Sequence, residues 1–244
     1  TLFPIKKTLD RMFLKKFIIK NNLTHWISVP SLVDLIFLNY KNKNSKISSL
    51  KKVFFCGEIL KKSHLEKIYR LSKKIKVINS YGPTEATVSC TYQNFSYKNY
   101  KSLCKPSASI GIPIKGTRFK LRRINSYQNV GELIISGNQV SLGYLADSNQ
   151  NKIKFIVKNK DRSFITGDIC KKLYNKYYFL NRIDRQTKIL GHRIEMGEID
   201  NKIEDITKLN SYTLKSKEKL VTFIDGKFNK DILRNKLIRH FPTN

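Results

Sequence analysis

Between residues 53 and 81 two short apolar runs flank one amphipathic helix, and no other stretch constrains the fold as much. Val53-Phe54-Phe55-Cys56 and Val77-Ile78 have the length of buried strands. Between them Leu65, Ile68 and Leu71 recur at helical spacing behind Ser63-His-Leu-Glu66, which reads as a capping box with Ser63 at the N-cap. The joints are short. Strand, helix and strand so joined form a βαβ unit, with parallel strands whose C-terminal ends, at Cys56 and Tyr81, share one rim. Ligands of open α/β sheets bind at that rim. The same geometry is expected to bring Glu58 and Glu85 near one crevice.

The second strand runs into Asn79-Ser-Tyr-Gly-Pro-Thr-Glu-Ala-Thr87, where Gly82-Pro83 forces a turn. The Thr84 hydroxyl can donate to a phosphate oxygen. The Glu85 carboxylate is a hard oxygen ligand of the kind Mg²⁺ takes while sharing substrate phosphates. Tyr81 offers a ring face to a flat base. Taken by itself, the same stretch is also an ordinary surface turn.

Upstream, Leu9, Met12, Phe13, Phe17 and Ile18 predict a helix over 8–22, ended by Asn21-Asn22. Trp26 to Val29 reads as a strand stopped by Pro30, with Ser31 capping a helix through Phe37, and Tyr40 to Ser49 as a polar loop. From about Pro106 short strands and glycine turns take over, which predicts a small antiparallel, barrel-like subdomain. Lys171 to Leu180 reads as a hairpin around Asn175. A composition break near Asp184 marks a hinge. Beyond it come a helix over Met196 to Leu209, a strand over Leu220 to Ile224 and a helix over Lys230 to Phe241.

With 48 Lys and Arg against 18 Asp and Glu, the formal charge is +30. That excess alone suggests nucleic acid, an anionic membrane or an acidic protein partner. However, it is mostly Lys spread through every segment among Asn, Ile, Tyr and Phe, without Arg-rich patches interleaved with aromatics, and this favours a general compositional drift over a nucleic-acid surface. Neither a nucleic acid nor a membrane is therefore expected as partner. The four cysteines form no CxxC pair and have no His at metal-ligand spacing, which fits a reduced, cytoplasmic setting. No apolar run reaches the roughly 18 residues of a membrane span.

Four motifs occur in a fixed order: Tyr81-Gly-Pro-Thr-Glu85; Gly131-Glu-Leu through Gly137 to Gly143-Tyr-Leu145; Thr166-Gly-Asp168; and Arg182-Ile-Asp184 through Lys188-Ile-Leu-Gly-His-Arg-Ile-Glu195 to Gly197-Glu198. This series closely resembles the adenylate-forming superfamily of acyl-CoA synthetases, luciferases and nonribosomal peptide synthetase adenylation domains. Phe54-Phe-Cys-Gly-Glu58 and Tyr81 to Val88 look most like the D-alanine:carrier protein ligase branch. The resemblance implies an α/β fold: a partial adenylation-enzyme body over 1–183, split into an α/β part (1–105) and a β-rich part (106–183). A small α+β C-terminal domain over 184–244 follows.

The resemblance also implies a chemistry. ATP and Mg²⁺ would convert a small amino acid, D-alanine-like, into an aminoacyl-adenylate, which then passes to the phosphopantetheine thiol of an acidic carrier protein, the enzyme acting as a monomer. By the same resemblance Thr84 contacts phosphate and Glu85 holds the metal, while Asn79 faces the adenine amine, Tyr81 stacks on the base, and Gly82 and Phe179 lie on the nucleotide side. Asp168 takes the ribose hydroxyls and Arg182 reaches ribose and phosphate. Phe54, Cys56, Ser80, Val88 and Ser89 line the acyl pocket, Asp184 is the hinge, and Lys188 serves the thiolation step.

Each residue also has a plainer role open to it: Asp168 as a turn residue, Arg182 as a surface ion-pair partner, Cys56 as a small buried hydrophobe. The chain departs from the family pattern at three positions and in two parts. Cys56 replaces a usual Gly and narrows the pocket, Phe179 stands where many relatives carry Tyr, and Asn181 replaces a Gly. The Gly-rich phosphate loop and the terminal catalytic Lys of the family fall outside these residues, so the chain is expected to be the back portion of a longer product. Two alternatives follow: a truncated relative that binds nucleotide or carrier protein without catalysis, and an acyl-CoA synthetase-like ligase.

Overall fold

The computed structural model describes residues 11–37, 49–105, 107–124, 129–158, 161–189, 192–216 and 219–238. The chain divides into two compact units, Thr1–Ile183 and Asp184–Asn244.

The first unit opens with α1 (Arg11–Lys20), β1 (His25–Ser28) and α2 (Ser31–Phe37), followed by β2 (Lys52–Phe55), α3 (Lys62–Leu71) and β3 (Lys76–Asn79). With β4 (Thr91–Phe95) and β5 (Ile112–Pro113) the strands form one sheet in the order β1-β2-β3-β4-β5. The first three are parallel, with Val53 opposite Val77, and the last two are antiparallel to their neighbours. The expected βαβ unit is therefore present. Alternation along β2 buries Val53 and Phe55 and leaves Phe54 half-buried on the opposite face. Leu65 and Ile68 of α3 pack with Val33, Phe55 and Val77 in one core. Full burial of each such side chain stabilises by about 1.5–3 kcal/mol.

Two capping expectations are corrected. The first helical residue of α3 is Lys62, so Ser63 lies inside the helix; the cap is instead made by His64, whose Nδ1 accepts the Lys61 amide at 3.2 Å while its own amide donates to Lys61 O at 3.1 Å. Leu60, only 1% exposed, anchors the chain into the core just before this point, so the extended backbone ends at Lys61. Ser31 is the first helical residue of α2 and its hydroxyl has no hydrogen-bond partner. Its amide donates to Glu58 Oε2 at 3.0 Å, so Glu58 tethers α2. Residues 8–10 of the expected first helix and 40–48 of the expected loop lie outside the described residues.

A second sheet contains β6 (Thr117–Arg122), β7 (Val130–Gly137), β8 (Phe155–Lys158), β9 (Asp161–Leu173) and β10 (Lys176–Arg182), with α4 (Ser148–Lys154) ahead of β8. The order is β10-β9-β7-β6, and β8 also pairs with β9. This sheet is antiparallel but open, where a barrel-like form was expected. Its length explains this: the 13 residues of β9 carry β8 at one end and β10 at the other. The β7–β9 ladder skips from Ile134↔Ile165 to Glu132↔Ile169, leaving Thr166, Gly167 and Asp168 opposite Leu133 alone. Such a bulge re-aims side chains, and Gly167 takes a left-handed φ of 76° within it. The two sheets are joined where Ile110 and Tyr177 bond through their backbones at 2.9 Å and the Ser109 hydroxyl donates to Tyr177 O at 3.1 Å.

The second unit contains a hairpin of β11 (Gln186–Ile189) and β12 (His192–Glu195), then α5 (Met196–Thr207), a second hairpin of β13 (Ser211–Ser216) and β14 (Lys219–Ile224), and α6 (Lys230–Ile238). Strand β13 has no counterpart in the sequence reading, because its alternation shows only Thr213 buried. Arg185 ties the unit together, donating to Asp200 Oδ2 at 2.7 Å and Thr213 O at 2.6 Å while its guanidinium covers the Tyr212 ring. Among the described residues no helix is long and apolar enough to cross a membrane.

Candidate active site

Past Asn79, Ser80 continues the parallel register by one bond, its amide donating to Phe55 O at 2.8 Å. The chain then leaves the sheet as a loop closed at its base: the Tyr81 amide donates to Thr91 Oγ1 at 3.1 Å, and the Cys90 and Thr91 amides return to Tyr81 O. Inside this loop the residue at 82 must be glycine. A Cβ there would meet Val88 O at 2.5 Å and Cys90 Sγ at 2.9 Å.

Thr84–Ala86 form one 3₁₀ turn, followed by Thr87 and Val88 at φ 57° and 64°. Two successive branched residues in the left-handed region cost about 1–3 kcal/mol each. They are held by the Thr87 hydroxyl donating to Gln139 O at 2.8 Å and by the Cys56 thiol donating to Val88 O at 3.5 Å. The turn leaves Thr84 exposed and buries Glu85 to 6% exposure. Tyr144 Oη donates to Glu85 Oε1 at 2.6 Å, and the Ser141 amide donates to Glu85 O at 2.8 Å.

Asn79 and the β9 bulge supply the other polar groups. Asn79 Nδ2 donates to Ser109 O at 3.0 Å, whereas its buried Oδ1 has no hydrogen-bond partner. In the bulge, Gly167 N donates to Glu132 Oε1 and Asp168 N to Thr166 Oγ1, fixing the carboxylate that follows. Asp168 Oδ1 accepts from Arg182 Nη1 at 2.5 Å, and Oδ2 accepts from the Tyr81 hydroxyl. Burial, and then the Asp168 charge, push the Tyr81 phenol well above its ordinary pKa. The Tyr81 ring meets Phe119 edge-on, 6.3 Å between centroids. Phe179 is half-buried beside the same core, its carbonyl accepting from Ser107 Oγ at 2.9 Å.

Of the residues expected to line an acyl pocket, Cys56 meets Val88, and the Ser80 and Ser89 hydroxyls share a bond of 2.6 Å. Phe54 lies on β2 opposite Ile78. Two candidates belong to the second unit: Asp184, whose Oδ1 accepts from the Gln186 amide at 3.2 Å, and Lys188 on β11, whose carbonyl accepts from Lys215 Nζ at 2.5 Å. Tyr144 was not singled out by the sequence reading. It stands within Gly143-Tyr-Leu145, but nothing local shows that its hydroxyl reaches a residue 59 positions away. Ser109 and Glu132 likewise carry no signal for their contacts.

The rim of the parallel strands carries Thr84-Glu85 and is joined through Tyr81 to an Asp presented by a second sheet. The family model described as "AMP-binding enzyme" matches residues 1–145. The chain belongs to the AMP-binding enzyme family. The AMP-binding match is accompanied by likeness to D-alanine--D-alanyl carrier protein ligases. That of Staphylococcus epidermidis is 31% identical over 193 residues, covering 78% of this chain and 38% of that protein. That of Staphylococcus aureus strain Newman is 32% identical over 178 residues, covering 73% and 35%. The chain thus spans well under half the length of these relatives.

Among solved structures, the Vibrio cholerae adenylation domain AlmE in complex with glycyl-adenosine-5'-phosphate superposes with a TM-score of 0.82 at 27% identity, over 98% of this chain and 48% of AlmE. Holo-PA1221, an NRPS protein containing adenylation and PCP domains, matches with a TM-score of 0.80 at 21% identity, over 96% of this chain and 42% of that one, a likeness of fold.

Proposed function

We propose that this chain forms the nucleotide- and acyl-binding crevice of an ATP-dependent ligase that activates a small amino acid as its adenylate and transfers it to the phosphopantetheine thiol of an acidic carrier protein. The observation that carries the reading is the Asn79 amide, whose Nδ2 is engaged by Ser109 O and whose buried Oδ1 lacks a donor. An orphaned acceptor of this kind fits the exocyclic amine of adenine. Asp168 adds a fixed double acceptor suited to two ribose hydroxyls, and Arg182 beside it a planar donor for ribose and phosphate oxygens. Tyr81 and Phe179, the latter on β10, supply ring surface, and Gly82 permits the tight loop that follows Tyr81.

For the metal, the donor chemistry fits an ion shared with substrate. Among the described residues no group of three or more His, Cys, Asp or Glu could form a protein cage, and Mg²⁺ is commonly held by one or two carboxylates plus phosphates. Glu85 would hold it, with Thr84 donating to a phosphate oxygen. When bound, Mg²⁺ would neutralise charge building between the attacking carboxylate and the α-phosphate. The chain's own residues orient the nucleotide through Asn79, Asp168 and Arg182.

Cys56, whose thiol donates to Val88 O, would line the acyl side together with Phe54, Ser80, Val88 and Ser89 and restrict it to a small group. The names of the relatives, a D-alanine carrier ligase and a domain bound to glycyl-adenylate, are consistent with that size. The reading further places Asp184 at a hinge and Lys188 in the thiolation step. Amino-acid-dependent exchange of pyrophosphate into ATP by the complete protein containing this chain tests it. Exchange is expected to be greatest with alanine, and its absence with every amino acid would overturn the proposal.

A further inference from the structure

Glu85 is steered from a distant part of the chain. Tyr144, which donates to Glu85 Oε1 at 2.6 Å, is held on two sides. Its ring meets Phe155 edge-on, with centroids 5.4 Å apart at 78°. Its peptide groups are clamped by one side chain: Asn151 Oδ1 accepts the Tyr144 amide at 2.6 Å, and Asn151 Nδ2 donates to the Tyr144 carbonyl at 2.9 Å. A side-chain amide facing a residue in this way acts like a strand partner and fixes both backbone groups at once.

Asn151 sits inside α4, which is capped by Asp147, whose carboxylate accepts the Gln150 amide at 3.0 Å. The chain passes so close beneath the Asn151 amide that a Cβ at Gly143 would lie 2.7 Å from Oδ1. The Ser141 amide donating to Glu85 O ties the same segment to the backbone of the 3₁₀ turn. Glu85 is therefore gripped at its main chain and at one carboxylate oxygen by residues 141–151, a segment that reaches neither nucleotide nor acyl contacts in the reading above.

We propose that Asn151, acting through Tyr144, is a positioning residue that sets the direction of the Glu85 carboxylate and thereby the affinity for the divalent cation that accompanies the nucleotide. This rests on the reading of Glu85 as the metal-holding carboxylate. A carboxylate on a one-turn helix has rotamers to lose on binding a metal, and a phenol held by a clamped backbone removes that freedom beforehand while leaving the negative charge intact. Groups that orient a ligating side chain typically contribute 10–100-fold in metal affinity.

The test is calorimetric titration of ATP into the wild-type chain, Tyr144→Phe and Asn151→Ala, across a series of free Mg²⁺ concentrations and in EDTA. Tyr144→Phe keeps the ring against Phe155, so it reports on the hydroxyl even if Asn151→Ala fails to fold. Both variants should bind ATP like wild type in EDTA, while the Mg²⁺ concentration that gives half the metal-dependent gain rises about 10-fold. Mn²⁺ binding followed by electron paramagnetic resonance should weaken by a similar factor. Unchanged Mg²⁺ dependence in Tyr144→Phe would overturn the inference and leave the Glu85 reading standing. An equal loss of ATP affinity with and without Mg²⁺ would also overturn it, since that is a general packing defect. Mg²⁺-independent ATP binding by the wild type would overturn both.

Discussion

Tyr81 and Asp168, 87 residues apart, are joined by a single hydrogen bond from phenol to carboxylate, and Arg182 occupies the other carboxylate oxygen. The side chains of Arg182 and Asp168 are only 16% and 9% exposed. Removing the anion leaves a mostly buried guanidinium uncompensated, at a cost of about 3–5 kcal/mol. Asp168→Ala is expected to lose that much in urea unfolding and to bind AMP far more weakly. Tyr81→Phe, which removes one bond to a charged acceptor, should lose about 1.5–3 kcal/mol. Wild-type stability in Asp168→Ala would contradict this account.

High pH should weaken the first unit. Burial pushes the Cys90 thiol from 9.0 to about 11, and raises Cys170 and Tyr81 well above 9.0 and 10.0. Above those ordinary values the unfolded chain releases protons that the native fold retains, so unfolding becomes more favourable as pH rises. The contribution is whole below about pH 9 and is lost from there up through the native values. Thermal midpoints should fall across that window, and less steeply in Cys90→Ala. A flat profile would show that these groups titrate alike in both states.

Low pH should act on the contact between α2 and α3. His64 Nε2 lies 3.3 Å from Asp34 Oδ2, and Lys67 Nζ 2.6 Å from Oδ1. Burial lowers the His64 pKa below 6.5, and the Asp34 charge only partly opposes it. Burial raises Asp34, but bonding to Lys67 and the charge of His64 outweigh this and hold it below 3.8. Both shifts mean that the unfolded chain binds protons first on acidification, so stability present at neutral pH is lost as pH falls below 6.5, and again below 3.8. Imidazole resonances followed by NMR should place the His64 midpoint under 6.5; a midpoint above it would reverse the sign.

Gly82→Ala should be among the most damaging small substitutions. The new Cβ would sit 2.5 Å from the Val88 carbonyl oxygen, a backbone atom in a segment already in the left-handed region. Forcing that apart costs about 1–3 kcal/mol and moves Ser89 away from Ser80. The expected result is lower stability together with weaker nucleotide binding, measured by calorimetry on the refolded variant. Alanine tolerated at 82 without loss of either would show that the loop has room to relax.

The sequence made the βαβ core legible because apolar runs such as Val53 to Cys56 and the spacing of Leu65 and Ile68 are local signals. It also placed the rim stretch 79–87 on the strand end. It could not show that His64 rather than Ser63 completes the α3 cap, since that depends on where buried Leu60 stops the extended chain. Nor could it show that Glu58 bonds to Ser31, or that Tyr144 reaches Glu85, because both contacts join segments whose approach is set by tertiary packing. The 13-residue β9 was legible only in part, through Thr166-Gly-Asp168 and the hairpin from Lys171, the bulge itself having no local pattern except a glycine.

That bulge makes the site a matter of parity. Upstream of it β9 buries Phe164 into the core, and downstream it buries Cys170. The residues opposite Leu133 set which side chains face inward for the rest of the strand. Deleting Gly167 alone would advance every later residue by one place, moving Lys171 into the slot of Cys170 and Ile169 into that of Asp168. The carboxylate is held in place as much by the number of residues in the bulge as by their identity, so the segment from Thr166 to Asp168 should tolerate exchange of side chains far better than any change in its length.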